Sequence, residues 1–345
     1  MKRIISLAAI GLLMASCVNS GKILPSVTGT IYENLVVMND TYWKGAEGDS
    51  VRAKLAADMV CMPQVEPLFS LSQTNFNGFN DILKPVRNIF IADIDSTQYT
   101  QGKVYYYKDQ WAKPQVVVKV AAPDRETFKQ LMSQYGDRIA QHFVDEEIKR
   151  QIEVYKGYTN AKAKELAMQK FGIIVNIPND MSQISESENF LWATDNKSRV
   201  RRDIVIYSFP YTDKDTFTKE YLLAKRDSIM KYHIPGDVEG SYMGTEYNHI
   251  PPVFKAISVR GEYCAELRGL WRIINGSAMG GPFVSHTRLD EINQRVIMIE
   301  GFVYGAGSKK RNALRQVEAV LYSMQLPQEI NALPEVEIVS PDSLQ

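Results

Sequence analysis

Between Tyr263 and Tyr304 the chain carries three long apolar runs separated by two turn signals, and no other stretch constrains the fold as much. Tyr263 to Ile274 ends at Asn275-Gly276, a pair that accepts the positive φ angles of a tight hairpin. Met279 to Thr287 follows, Asp290-Glu291-Ile292-Asn293 makes the next turn, and Val296 to Tyr304 returns. Neighbouring strands joined by short turns pair antiparallel, because a parallel pair needs a crossover of roughly a dozen residues or more. This part therefore reads as an antiparallel meander.

The remaining elements surround that meander. Ile31 to Met38, Val86 to Ala92, Gln115 to Ala121, Ile173 to Ile177, Asn189 to Ala193 and Asp203 to Phe209 read as strands. Val86 to Ala92 is apolar almost throughout and reads as central. Helices are expected over Asp49 to Met59, from Asp124 (as N-cap) to residue 156, and over Ala161 to Lys170, with Gly172 as its stop. Another runs from Thr216 or Thr218 to Tyr232, with Leu222, Ile229 and Met230 on one face, and the last from Lys309 to Gln325. Hairpins without strict βαβ alternation predict an α+β protein of two domains, with mainly antiparallel sheets flanked by helices. The expected divisions are a signal peptide over 1–16, a lipidated cysteine and tether over 17–30, domains over 31–157 and 158–326, and an extended tail over 327–345.

The N-terminus carries an export signal. Lys2 and Arg3 precede Ile4 to Ala15, a run without charge that is short for a spanning helix. Leu13-Met14-Ala15-Ser16-Cys17 resembles a lipobox, with Met14 where Leu is usual, which makes Cys17 the acylated first residue. Each buried methylene of its acyl chains adds about 0.8 kcal/mol of anchoring. Val18 replaces the Asp that retains many lipoproteins at the inner membrane, and Asn19-Ser20-Gly21-Lys22 lacks the acidic cluster that resembles a surface-export signal. The expected location is the outer membrane, facing the periplasm.

Charge and cysteine content narrow the function. Lys and Arg total 40 and so do Asp and Glu, so the chain has no long-range attraction for nucleic acid. Three cysteines are too few for a disulfide scaffold or a four-thiolate zinc site, and after export Cys61 and Cys264 remain, as a disulfide or as buried thiols. His142, His233, His249 and His286 are scattered without metal-ligand spacing. No metal and no cofactor is expected.

Several phrases resemble, in order, an uncharacterised family of Bacteroidota lipoproteins known as a domain of unknown function. They are Trp111-Ala112-Lys113-Pro114-Gln115, Asn189-Phe190-Leu191-Trp192, Lys225-Arg226-Asp227-Ser228, Ile234-Pro235-Gly236, Gly240-Ser241-Tyr242-Met243, Arg268-Gly269-Leu270-Trp271 and Met279-Gly280-Gly281-Pro282-Phe283. The resemblance implies a lipoprotein and no particular activity. In element order alone the second half is similar to PsbP- and Mog1-like domains, and a fold does not imply a function.

No motif completes a catalytic set. Ser228-Ile229-Met230-Lys231 fits Ser-x-x-Lys, yet its serine lies late in a helix and no Lys-Thr-Gly follows. In Gly240-Ser241-Tyr242-Met243-Gly244 the serine stands one place early for a nucleophile elbow, so it reads as a turn. Gly305-Ala306-Gly307-Ser308 leads into Lys309, Lys310 and Arg311 at a helix start, where cations oppose the macrodipole and an anion would relieve them. Trp192, Tyr242, Tyr263, Trp271 and Phe283 form a candidate ligand groove around Met279-Gly280-Gly281-Pro282, or else core. Gly-Gly-Pro within a strand signals a bulge or a close backbone approach. Ser50, Ser96, Ser228 and Ser343 sit in Asp-Ser-apolar or Asp-Ser-Thr contexts that resemble an O-glycosylation signal. The expected function is a membrane-anchored binding or assembly factor for an envelope protein, glycan or lipid. The alternative is an envelope hydrolase or transferase whose site assembles from dispersed residues.

Overall fold

The computed structural model describes residues 23–330. The signal segment, Cys17 and Ser343 lie outside the described residues. The first half runs β1 (Glu33–Val37), α1 (Asp40–Trp43), α2 (Ala46–Leu55), β2 (Ser70–Thr74), β3 (Asn88–Ile94), β4 (Lys103–Lys108), β5 (Val116–Ala122) and α3 (Arg125–Lys156). The second continues α4 (Ala161–Phe171), β6 (Gln183–Ser187), β7 (Phe190–Thr194), β8 (Arg201–Pro210), α5 (Lys219–His233), β9 (Tyr242–Glu246), β10 (Val253–Val259), β11 (Glu262–Ile274), β12 (Gly280–Asp290), β13 (Arg295–Tyr304), α6 (Arg311–Tyr322) and α7 (Pro327–Ile330).

The protein is α+β, with one sheet in each half of the chain. The first sheet has the order β2-β1-β3-β5-β4. Its β2, β1, β3 and β5 run parallel and β4 antiparallel. The second sheet is antiparallel throughout, in the order β10-β11-β12-β13-β8-β7-β6, with β9 also on β11. The meander forms as its turn residues require, although Ile273 N donates to the Met279 carbonyl, so the loop spans 274–278 around Asn275 at φ 56°.

Strand alternation builds two cores from the second sheet. Ile204, Ile206, Ile297 and Ile299 face a core shared with Phe90, Val118, Phe143, Leu314 and Val317. Val205, Tyr207, Val296 and Met298 face the opposite side, which α5 covers with Leu222, Leu223 and Met230. The shared core places α3 and α6 between the two sheets. It is also why β3 is apolar on both faces: Phe90 meets the helices while Ile89 packs under Phe79, Leu83 and Trp111. Burying each such side chain contributes about 1.5–3 kcal/mol. Caps set the helix starts, with Asp124 accepting from Thr127 N at 2.8 Å, Asn160 from Ala163 N at 3.0 Å and Thr218 from Tyr221 N at 3.4 Å.

Four expectations are corrected. Ile173, Val175 and Ile177 are buried, but the segment joins no sheet; Ile174 forms an isolated bridge with Gln325. Residues 24–30 are not tether, since Ser26 bridges to Lys113 and Thr28 to Val86. The segment from 327 opens as helix α7 rather than extended chain, because Glu329 accepts Leu326 N and two bonds from Arg288. Tyr242 and Met243 belong to strand β9, and Ser241 closes the turn before it with an Oγ bond from Val238 N at 3.1 Å.

Candidate functional site

A cleft of about 900 Å³ opens where the two halves meet. That volume is within the range of small-ligand and peptide sites. One wall is α3, whose Gln141, Asp145, Ile148 and Lys149 are two helical turns of one face. The opposite wall is β10, which presents Lys255, Ile257 and Ser258. β10 is the last strand of its sheet, so one row of its backbone N–H and C=O groups has no partner strand. Met59 and Leu68 add apolar surface.

The floor is a charged network. Glu266 and Arg268 stand two apart on β11 and so share a face. Arg268 donates to both Glu266 oxygens at 2.8 Å and also contacts Glu318 of α6. Arg315, one turn before Glu318, donates to it at 2.7 Å. Two carboxylates and two guanidiniums therefore balance, which offsets the cost of removing them from water. Burial alone would raise the Glu266 carboxyl, but Arg268 outweighs it and holds that group below the ordinary carboxylate range. Burial likewise opposes ionisation of Glu318, and Arg268 with Arg315 overcomes it. Tyr322 completes the floor, its phenol pushed upward by burial. His286 is buried behind Tyr322, edge-on to that ring at 4.6 Å and 3.6 Å from Glu266. At neutral pH the floor thus offers fixed charges and a protonated phenol, an arrangement suited to recognition. Among the described residues no cluster of three or more His, Cys, Asp or Glu is placed to hold a metal ion.

The structure disperses the residues singled out in the sequence. Glu66 accepts the backbone N–H groups of Lys310 at 2.7 Å and Arg311 at 2.9 Å. The anion called for at that helix start is thus supplied from within the chain, which corrects the expectation of an outside anion. Lys310 Nζ turns back to the Ser308 carbonyl and Arg311 Nη1 to the Pro67 carbonyl, which leaves Lys309 exposed.

The aromatic groove is also corrected. Trp271 and Phe283 are core residues, with Trp271 Nε1 donating to the Val303 carbonyl at 3.2 Å. Trp192 is half-buried and donates to Asp203 at 3.0 Å. Tyr242 lies under Lys231 and Tyr263 stands edge-on to Phe217. A hollow of about 350 Å³ does lie at Met279-Gly280, but Glu246 and Arg272 line it instead of those five aromatics. At Gly281 the close backbone approach is real, since a Cβ there would overlap the Val303 carbonyl oxygen.

Cys61 and Cys264 are both buried free thiols, so the two halves are not bridged. Cys61 Sγ lies 3.4 Å from the Arg268 carbonyl, whereas Cys264 sits four residues earlier on the same strand, too far for a bridge. Ser50 donates to the Glu47 carbonyl inside α2, Ser96 is exposed in the turn after β3, and Ser228 is exposed on α5.

Sequence reasoning missed Glu66, Glu266, Arg315 and Glu318. Their signal was a charge inside an apolar pattern: Glu266 stands between Ala265 and Leu267, and Glu318 between Val317 and Ala319. Such charges are rarely buried unless paired.

Two family models match the chain. Residues 27–156 match Domain of unknown function (DUF8532), and residues 160–323 match Domain of unknown function (DUF4837). No curated protein matches the chain. The two matches meet between α3 and α4, and the cleft draws one wall from each: its lining residues up to Ile152 fall in the first match, those from Lys255 in the second.

Proposed function

We propose that this chain is a membrane-anchored envelope lipoprotein of Bacteroidota type, acting as a binding or assembly factor at the outer membrane, facing the periplasm. Its partner, an envelope protein, glycan or lipid, docks in the cleft between α3 and β10. The observation that carries this reading is the cleft itself, with its unpaired strand edge on one wall and a floor of mutually neutralised charges. An extended chain can add its backbone to such an edge while neighbouring pockets take alternate side chains. The anchor rests on Lys2, Arg3, the uncharged run and Cys17. Among the described residues no helix is long and apolar enough to cross a membrane. The element-order likeness to PsbP- and Mog1-like domains adds no activity to this reading.

The alternative, a hydrolase or transferase, draws support from the carboxylates that line the cleft. Against it, Glu266 and Glu318 are held ionised by Arg268 and have no proton to give near neutrality.

Native mass spectrometry of the protein gently extracted from its membrane tests the proposal. The expected mature mass begins at acylated Cys17, with bound mass that is lost in an Ile257→Trp variant that fills the cleft. A non-acylated mass, or bound mass indifferent to Ile257→Trp, would overturn it.

A further inference from the structure

The chain enters the body at one pole of the first sheet. Lys113 N donates to the Pro25 carbonyl at 2.8 Å and Val27 N to the Lys113 carbonyl at 3.2 Å. Thr28 N donates to the Pro85 carbonyl at 2.9 Å. This pole is the N-terminal end of β3 and β5, where Asn88 pairs with Val116. Ile23, the first described residue, is 95% exposed. Only five residues lie between it and Cys17, and the six residue steps from one to the other span at most about 22 Å.

A turn beside the entering segment presents a second bare side chain. Asn80 organises it, with Oδ1 accepting from Ile82 N at 3.0 Å and its carbonyl from Leu83 N and Lys84 N at 3.0 Å. The result leaves Ile82 81% exposed while the adjacent Leu83 packs inward with Phe79 and Trp111 against the sheet. Trp111 stands edge-on to Phe79 at 5.4 Å, so the base under Ile82 is firm. Lys84 pairs with Asp81 at 2.8 Å and Lys108 with Glu146 at 3.1 Å, while Lys113, at the entry point itself, is exposed.

We infer that this pole is a bilayer-contacting surface, with Ile82 entering the interfacial region and Trp111 lying at its border. The inference rests on acylation of Cys17. Once acyl chains fix Cys17 at the membrane, the short linker holds this pole against the headgroups, and an isoleucine there is removed from water at no cost in new ordering. Burial of the isoleucine side chain carries the contact, and salt screens only what the exposed Lys113 adds. The cleft, on the other side of α3 from this sheet, is then held at a set orientation to the membrane.

The test uses the full acylated chain in phosphatidylethanolamine–phosphatidylglycerol vesicles containing a nitroxide-labelled lipid. A fluorophore is placed at Ile82→Cys or at Ser96→Cys, which lies in the turn beyond the opposite end of β3. Both positions are exposed, and Cys61 and Cys264 are buried and supply the unlabelled background. The expected result is several-fold stronger quenching at 82 than at 96, retained in high salt. Equal quenching on a protein whose mass shows acylation overturns the inference alone. A mass without acyl chains overturns the lipoprotein reading and the inference together.

Discussion

The carboxylate of Glu66 receives the backbone N–H groups of Lys310 and Arg311 at 2.7 and 2.9 Å, so a loop of the first half caps the last long helix of the second. It does what an N-cap side chain does, and its charge also favours the helix dipole. Glu66→Ala should destabilise the protein by about 1–2 kcal/mol, with Glu66→Gln recovering part of the loss. Urea denaturation of the three proteins checks this. An unchanged midpoint for Glu66→Ala would show that the cap contributes nothing.

Arg226 of α5 and Glu300 of β13 form a second tie, with both guanidinium bonds at 2.7 Å and both side chains fully buried. Thr245 accepts a further bond at 2.9 Å, and the guanidinium lies 3.9 Å above the Phe283 ring. Arg226→Met alone leaves a buried carboxylate unpaired and should cost about 3–5 kcal/mol. Adding Glu300→Leu should recover most of that cost, since a well-packed apolar pair can replace a buried ion pair. A double variant no more stable than the single one would refute this assignment.

The thiols provide a chemical check. Burial pushes the Cys264 thiol up to about 12 and raises Cys61 as well. The thiolate is the reactive form, so neither should react rapidly with a disulfide reagent at pH 8 in the native protein. The thiols of Cys61 and Cys264 should both appear on unfolding, and peptide maps with and without reductant should agree. Rapid titration of either thiol in the native state would contradict the burial.

Acid stability should depend on Glu246. The Asn248 N–H at 2.7 Å, with help from His249 and Arg272, lowers its carboxyl to about 2, although burial opposes this. A folded-state pKa below the unfolded value of 4.5 stabilises the protein above that value, and the stabilisation is lost as pH falls toward about 2. Glu246→Gln should flatten the fall in stability between roughly pH 5 and 2 relative to the parent. Parallel acid titrations followed by circular dichroism would show it, and identical slopes would rule Glu246 out as a contributor.

The strands legible in the chain and those hidden in it differ in one respect. β1, β3, β5, β7, β8, β11, β12 and β13 lie inside their sheets and are rich in buried apolar residues. β2, β4, β6, β9 and β10 lie at sheet edges, with sequences such as Ser70-Leu71-Ser72-Gln73-Thr74 and Gln183-Ile184-Ser185-Glu186-Ser187. An edge strand has one side and often one face in water, so it needs no apolar alternation and tolerates charge. The cleft was hidden for the same reason, since β10 forms one of its walls.

What the sequence by itself determined is local: the meander, the caps at Asp124 and Thr218, the stop at Gly172 and the apolar centre of each sheet. These follow from side-chain period and turn chemistry, which act over a few residues. The tertiary structure alone decided that Glu66 meets Lys310, that Arg268 meets Glu318, and that Cys61 lies apart from Cys264. Those pairings join residues tens to hundreds of positions apart, and a charge in an apolar run shows only that a partner must exist. Which partner it finds depends on how α3 and α6 pack between the two sheets, and no short-range pattern encodes that.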